Sequence, residues 1–290
     1  MKSLNIVPSF PIENYGFQKA DKPANHGIGK LIAAKPMKIN TYSEMVDLVS
    51  KLAYFNRRYV LFFRGQSKEF RVGSPYPTIY PTYFRKIIKK EMTFDQLSYE
   101  LSMKQEELRE KNHNRKPRFQ GAYSILESLH VRWALLQHYN ICDTPLIDIT
   151  QSLHVAASFA LNYKSEKEES RTGIVYVLAL PWPSKNYHNN KEEDIYLVRL
   201  SGITPPQAKR PYRQEAYAVT SRDVDFKQID NMERYDLAKR LVCKFEVTNS
   251  NDFWGEFLQP LPESFLAPQD DIFYDFMMNE TESSNALMVR

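Results

Sequence analysis

Apolar positions along the first third of the chain alternate between two periods. Met45, Val46, Leu48, Val49 and Leu52 form one stripe at helical spacing, preceded by Thr41 and Glu44. A threonine three residues before a glutamate is a capping box, in which the hydroxyl takes a free helix N–H while the carboxylate reaches back, so a helix is predicted over about 42–55. Tyr59-Val60-Leu61-Phe62-Phe63 is too short for a buried helix and is stopped by Gly65, so it reads as a core strand with Arg64 at its C-terminal end. The run from Pro75 to Pro81 carries three prolines, which lack the amide donor and restrict their predecessors, and reads as a loop or extended arm. Helical spacing returns from Phe84 to Lys111 through Ile87, Ile88, Met92, Leu97, Leu101 and Leu108, and again from Tyr123 to His138 through Ile125, Leu126, Leu129, Trp133 and Leu136.

Beyond that point short β-prone runs take over. Leu146 to Thr150 predicts a strand, followed by Ser152 as N-cap of an Ala-rich helix, Val155 to Leu161, whose small residues allow close packing. Strands are further predicted over 174–180, 195–200, 215–220 and 241–247. Helices crowd the N-terminal half and strands the C-terminal half, which argues for an α+β class with a mixed, mostly antiparallel sheet. The expected organisation is an irregular, proline-punctuated arm over 1–40, a body over 41–250, and an extension over 251–290 that docks through Phe273, Tyr274 and Phe276 and ends in a frayed acidic tail.

Composition sharpens this only in places. Apolar residues make up 42% of the 290, enough for a sizeable core, while the net charge of +4 neither demands a polyanionic partner nor excludes one. Cys142 and Cys243 show no metal or redox spacing and read as buried reduced thiols. The first residues lack the apolar stretch of a secretory leader and no window suits a membrane span, so a cytoplasmic address is expected. The basic run from Lys111 to Arg118 is a candidate contact for phosphate, although a solvated charge cluster is the commoner explanation of such a run.

No GxGxxG, Walker or GxSxG pattern is present, and the six histidines show no metal-ligand spacing, so no metal is expected. Chemistry must then come from three segments. Arg64-Gly65-Gln66 puts a permanent cation at a strand end beside a residue that allows close backbone approach, an arrangement suited to phosphate or to a structural ion pair. Gln137 and His138 close a helix, and Asp148 and Thr150 share one face of the next strand. A carboxylate within Leu-Ile-Asp-Ile needs a cation, a donor or solvent, with Arg64 one candidate, and His138 is either a general base or a helix-end hydrogen-bond donor. In the third segment Gln214 and Glu215 open a strand behind Arg210, and strand phase leaves open which of the two faces a pocket.

Taken together, Leu61-Phe62-Phe63-Arg64-Gly65-Gln66, Ile79 to Arg85, Leu136-Gln137-His138-Tyr139, Thr144 to Thr150 and Ala157-Ser158-Phe159-Ala160 resemble the FRG domain family, named for its Phe-Arg-Gly motif. The resemblance covers roughly residues 45–220, with Arg210 and Gln214 to Tyr217 similar to the family's downstream segment. Pro145 and Ile149 stand where the family usually carries Arg and Trp, and Ala216 where it tends to have Gly, so roles resting on that arginine do not carry over.

A more distant similarity is to ADP-ribosyltransferases of the Arg, Ser/Thr, Glu type. That likeness implies NAD as substrate, with Arg64, Gly65, Gln66, Gln137, Asp148, Thr150, Phe159 and Arg210 holding it and Glu215, Gln214 and His138 catalytic. The implied acceptor is a protein or nucleic acid, in a bacterial or phage toxin or antiviral-defence setting with a cognate antitoxin or regulator. The alternative is a non-catalytic nucleotide- or partner-binding module. A nuclease is a third reading, but no paired carboxylates stand at metal-site spacing.

Overall fold

The computed structural model describes residues 31–114, 122–162, 171–221 and 232–278. The helix at the capping box is α1 (Tyr42–Phe55): Thr41 Oγ1 accepts from Glu44 N at 3.1 Å, and the Glu44 carboxylate takes the N–H of Asn40 at 2.9 Å, one residue earlier than the usual partner. Strand β2 (Val60–Gln66) runs on through Gly65 rather than ending there. The long helical stretch divides into α2 (Thr82–Ile88) and α3 (Phe94–Asn114). Lys90 adopts φ 58°, and Thr93 exchanges hydrogen bonds with Gln96 to start the new helix. Likewise α4 (Ala122–Glu127) and α5 (Leu129–His138) are parted at Ser128, whose extended backbone caps α5 by accepting from Val131 N.

Strand β3 (Ile147–Thr150) leads through Ser152 into α6 (Leu153–Leu161). Then follow β4 (Thr172–Leu180), β5 (Tyr187–Asn190), β6 (Ile195–Arg199), the short helix α7 (Lys209–Arg213), β7 (Ala216–Ser221), β8 (Leu241–Thr248), and the helices α8 (Asn251–Trp254), α9 (Glu263–Leu266) and α10 (Ile272–Met278). Strand β5 and the two-residue β1 (Met37–Lys38) had no clear apolar signal. The class is α+β with mixed, mostly antiparallel pairing, as the sequence predicts, but short helices also punctuate the C-terminal half. The expected arm over 1–40 falls largely outside the described residues, as do the end of the basic run and the acidic tail.

The chain divides into two compact units. The first comprises residues 1–79, 150–182 and 237–262. Its strands pair β8 with β4 and β4 with β2, both antiparallel, and β1 runs parallel to β8. Leu61, Phe63, Val175, Val177, Cys243, Phe245 and Val247 turn one face of these strands toward α1 and α6, where Met45, Leu48, Leu52, Ala156, Ala157 and Ala160 complete the core. Helix α6 lies unusually close. A Cβ on Gly65 would stand 1.9 Å from the Ala156 carbonyl oxygen, and one on Gly173 would stand 2.2 Å from that of Ala160. The two glycines therefore form a seat for the alanine face of α6, a contact with its backbone that no larger residue permits.

The second unit comprises residues 80–149, 183–236 and 263–290. It pairs β5, β6 and β7 antiparallel and buries Tyr83, Leu97, Leu101, Trp133, Leu136 and Phe273. Phe84 stacks on Tyr235 at 4.2 Å and His130 on Tyr196 at 3.8 Å. Burial pushes the His130 imidazole down to about 4, so it is a neutral core ring. Phe273 and Phe276 are buried, while Tyr274 keeps 37% of its surface exposed.

The glycine seat predicts that Gly65→Ala destabilises the fold by at least about 3 kcal/mol, the upper range for overpacking, because the obstacle is helix backbone. Chemical denaturation of the two proteins checks this. Gly255→Ala, where nothing lies within 4 Å, is the control for a mutation strained only by its φ of 72°.

Candidate functional site

The alternation of β2 assigns the residues of its central motif to opposite faces. Leu61, Phe63 and Gly65 face α6, while Phe62, Arg64 and Gln66 face away. Gly65 has no positive φ and makes no turn; its service is to admit the helix. The close backbone approach expected at Gly65 is that of a helix.

On the face away from α6 the register places Arg64 opposite Tyr176 of β4, and Tyr176 opposite Lys244 of β8. A polar row thus crosses three strands within the first unit. Lys244, only 1% exposed, donates to Glu69 Oε1 at 2.6 Å and to the Ile32 carbonyl at 3.0 Å, so its charge is matched. Burial, reinforced by Glu69 and opposed by Arg64, raises the Tyr176 phenol above its ordinary range and keeps it a donor. Two buried atoms beside Arg64, the Tyr176 hydroxyl and Gln66 Oε1, have no hydrogen-bond partner among the described residues. Sequence reading missed Tyr176, Lys244 and Glu69. The available signal was a lysine inside Leu-Val-Cys-Lys-Phe-Glu-Val, a buried charge of the same kind that singled out Asp148.

Thr150 pairs with Phe63 and so lies on the α6 face, opposite to Arg64. Its Oγ1 accepts from Ser152 N at 2.9 Å and closes the turn into α6. Phe159, farther along that helix, is 40% exposed.

In the second unit the Gln137-His138-Tyr139-Asn140 segment is a helix stop. Asn140 takes φ 55°, Ile141 N donates to Leu136 O at 2.9 Å, and Asn140 N donates to Gln137 O at 3.0 Å, which together make a Schellman motif. Gln137 Oε1 accepts from both the amide and the hydroxyl of Thr144, bracing the following loop. His138 is buried, with Nδ1 3.2 Å from Asp148 Oδ1. Burial lowers its proton affinity despite Asp148, so the neutral ring donates from Nδ1 and leaves Nε2 as an acceptor without a partner among the described residues. Asp148 thus has His138 as a partner, and sequence reasoning had offered Arg64.

The Gln214 and Glu215 ambiguity resolves within this unit. Gln214 is buried and donates from Nε2 to the Leu266 carbonyl at 2.7 Å, tying α9 to the end of α7. Glu215 points to solvent from a left-handed backbone, φ 44°, just before β7. Arg210 holds its guanidinium 5.8 Å from the centre of the Tyr139 ring. Asp271, to which the sequence analysis assigned no role, organises the surroundings: it accepts from the Tyr139 hydroxyl, from Arg210 N, and from Phe273 N and Tyr274 N at the start of α10.

The first unit therefore holds Arg64, Gly65, Gln66, Thr150 and Phe159, and the second holds Gln137, His138, Asp148, Arg210, Gln214 and Glu215. Among the described residues no three His, Cys, Asp or Glu side chains gather as a metal site would require, and no helix is long and apolar enough to cross a membrane. Cys142 and Cys243 are free thiols, the first half-buried and the second buried.

These features define an α+β protein in which a strand-borne arginine stands on a polar row behind a tightly seated helix. Residues 59–169, from β2 through α6, match the FRG domain model. The match is narrower than the 45–220 expected and stops before Arg210 and Glu215. No curated protein and no solved structure matches the chain.

The Gln214 tie predicts that Gln214→Ala lowers stability by about 1–2 kcal/mol, since it strands the buried Leu266 carbonyl. Urea unfolding measures the loss. An unchanged midpoint would show that the amide carries no structural burden.

Proposed function

We propose that the FRG domain is a nucleotide-binding module in which Arg64 anchors a phosphate of the ligand. The observation that carries this reading is the pair of unpartnered buried atoms flanking Arg64, the Tyr176 hydroxyl and Gln66 Oε1. Leaving such groups unsatisfied costs about 1–3 kcal/mol each, which a ligand offering acceptors and donors recovers. A phosphate oxygen takes the Tyr176 proton and the guanidinium donors together, while Gln66 Oε1 accepts from a sugar hydroxyl.

A second reading, NAD-dependent ADP-ribosyl transfer to a protein or nucleic acid, or NAD hydrolysis, is favoured by Glu215. Its exposed carboxylate follows Arg210 in the order that the transferase resemblance implies, and it suits stabilisation of the positive sugar centre as nicotinamide departs. In this reading Arg64 and Gln66 hold the NAD phosphates. Against it stand Thr150, on the strand face away from Arg64, and Gln214, committed to a backbone carbonyl. A cytoplasmic toxin or antiviral-defence role, held in check by an antitoxin or regulator, belongs to the same reading.

Titration calorimetry with NAD and ADP-ribose, paired with an assay of nicotinamide release, separates the two. The module predicts binding that weakens at least tenfold in Arg64→Lys, because a lysine loses bidentate contact, with no nicotinamide released. Release that disappears in Glu215→Gln at unchanged NAD affinity would establish the transferase or hydrolase instead. Absence of binding to either ligand would overturn both.

A further inference from the structure

The second unit contains a cavity of about 330 Å³ bordered by Arg210, Tyr139, Asn140, Gln269, Asp271 and Tyr274. Its volume falls at the low end of small-molecule sites, room for one ring system and its substituent. The charges around it are unequally committed. Lys209 is spent on Asp270, and Arg213 on the Phe265 carbonyl and ring. Asp271 has its carboxylate filled by four donors, all from the protein. Arg210 differs: its guanidinium lies 5.8 Å from the Tyr139 ring, its Nε is buried with no hydrogen-bond partner, and no carboxylate pairs with the guanidinium among the described residues. Buried His138, neutral, adds no positive charge to compete with it.

Beside that cation the cavity is lined by two aromatic rings. Tyr274 is 37% exposed, and its ring lies 6.0 Å from the Tyr139 ring at an interplanar angle of 32°. Tyr139 cannot swing away because its hydroxyl is fixed to Asp271 at 3.2 Å. The carboxamides of Asn140 and Gln269 supply a donor and an acceptor each at the rim. A guanidinium with no carboxylate partner, an exposed tyrosine ring beside a fixed one, and rim amides are complementary to a planar heteroaromatic ring that carries a single phosphate.

We infer that this cavity binds a nucleoside monophosphate group, with the phosphate on Arg210, the base against Tyr274 and the base edge read by Asn140 and Gln269. The group has two chemical sources, a free mononucleotide and the 5′-phosphorylated end of a nucleic acid strand. This site goes beyond the Arg64 reading and is probed through different side chains.

Titration calorimetry of the full chain with AMP, adenosine and a 5′-phosphorylated tetranucleotide tests it. AMP or the tetranucleotide binds, with the tighter of the two naming the source, and adenosine binds at least tenfold more weakly than AMP. Arg210→Gln weakens phosphate-bearing ligands at least tenfold while leaving adenosine unchanged, and Tyr274→Ala weakens all of them. Thermal melting checks both variants, and Tyr274→Ala carries the test should Arg210→Gln fail to fold. Equal affinity for AMP and adenosine, wild-type affinity in the folded variants, or no binding of either phosphate-bearing ligand overturns the inference.

Discussion

The contact between the backbone of α6 and Gly65 and Gly173 governs the first unit. Two adjacent strands each give up a side chain at the point where the helix crosses, and Ala156 and Ala160 are the helix residues that meet them. Close approach of a helix to a sheet excludes a whole layer of side chains, so the contact is intolerant of any added atom. It also fixes the phase of β2. With Gly65 committed to the helix, Arg64 and Gln66 must project from the other face, where Tyr176 and Lys244 lie in register. The arginine of the motif is thus displayed as a consequence of where its neighbouring glycine is needed.

In the second unit Asp271 has a comparable organising part. One buried carboxylate caps α10, receives the Tyr139 hydroxyl and takes the Arg210 amide, so three separate segments meet on two oxygens. The stop of α5, with Asn140 in the left-handed region, delivers Tyr139 to that carboxylate and His138 to Asp148. Residues that looked like one functional block in sequence divide their work: Gln137 and Gln214 brace loops, Tyr139 and Asp271 build a wall, and Arg210 keeps its charge available.

Much of this was legible before the structure. The capping box at Thr41, the N-cap at Ser152, the small-residue helix and the strand ahead of Arg64 follow from local rules whose partners lie within a few residues. What escaped has non-local causes. The break at Lys90 is a left-handed residue with no glycine to announce it, and Ser128 parts α4 from α5 as an N-cap with no glycine or proline beside it. Gly65 read as the stop of the strand because the helix that requires it comes some ninety residues later. Tyr176, Lys244 and Asp271 gained meaning only through strand register and docking of the C-terminal extension. The FRG resemblance located the helix-and-strand framework better than it located chemistry, since its match ends before Arg210.

The claim that the α6 seat holds the first unit together is most directly tested by native-state hydrogen exchange resolved by residue. Amides of α6 from Ala156 to Ala160 should open together with those of Phe62 to Gly65 in β2 and Val175 to Val177 in β4, at the free energy of global unfolding. Exchange of α6 at a markedly lower free energy than the two strands, as an independently opening helix would show, would contradict the account.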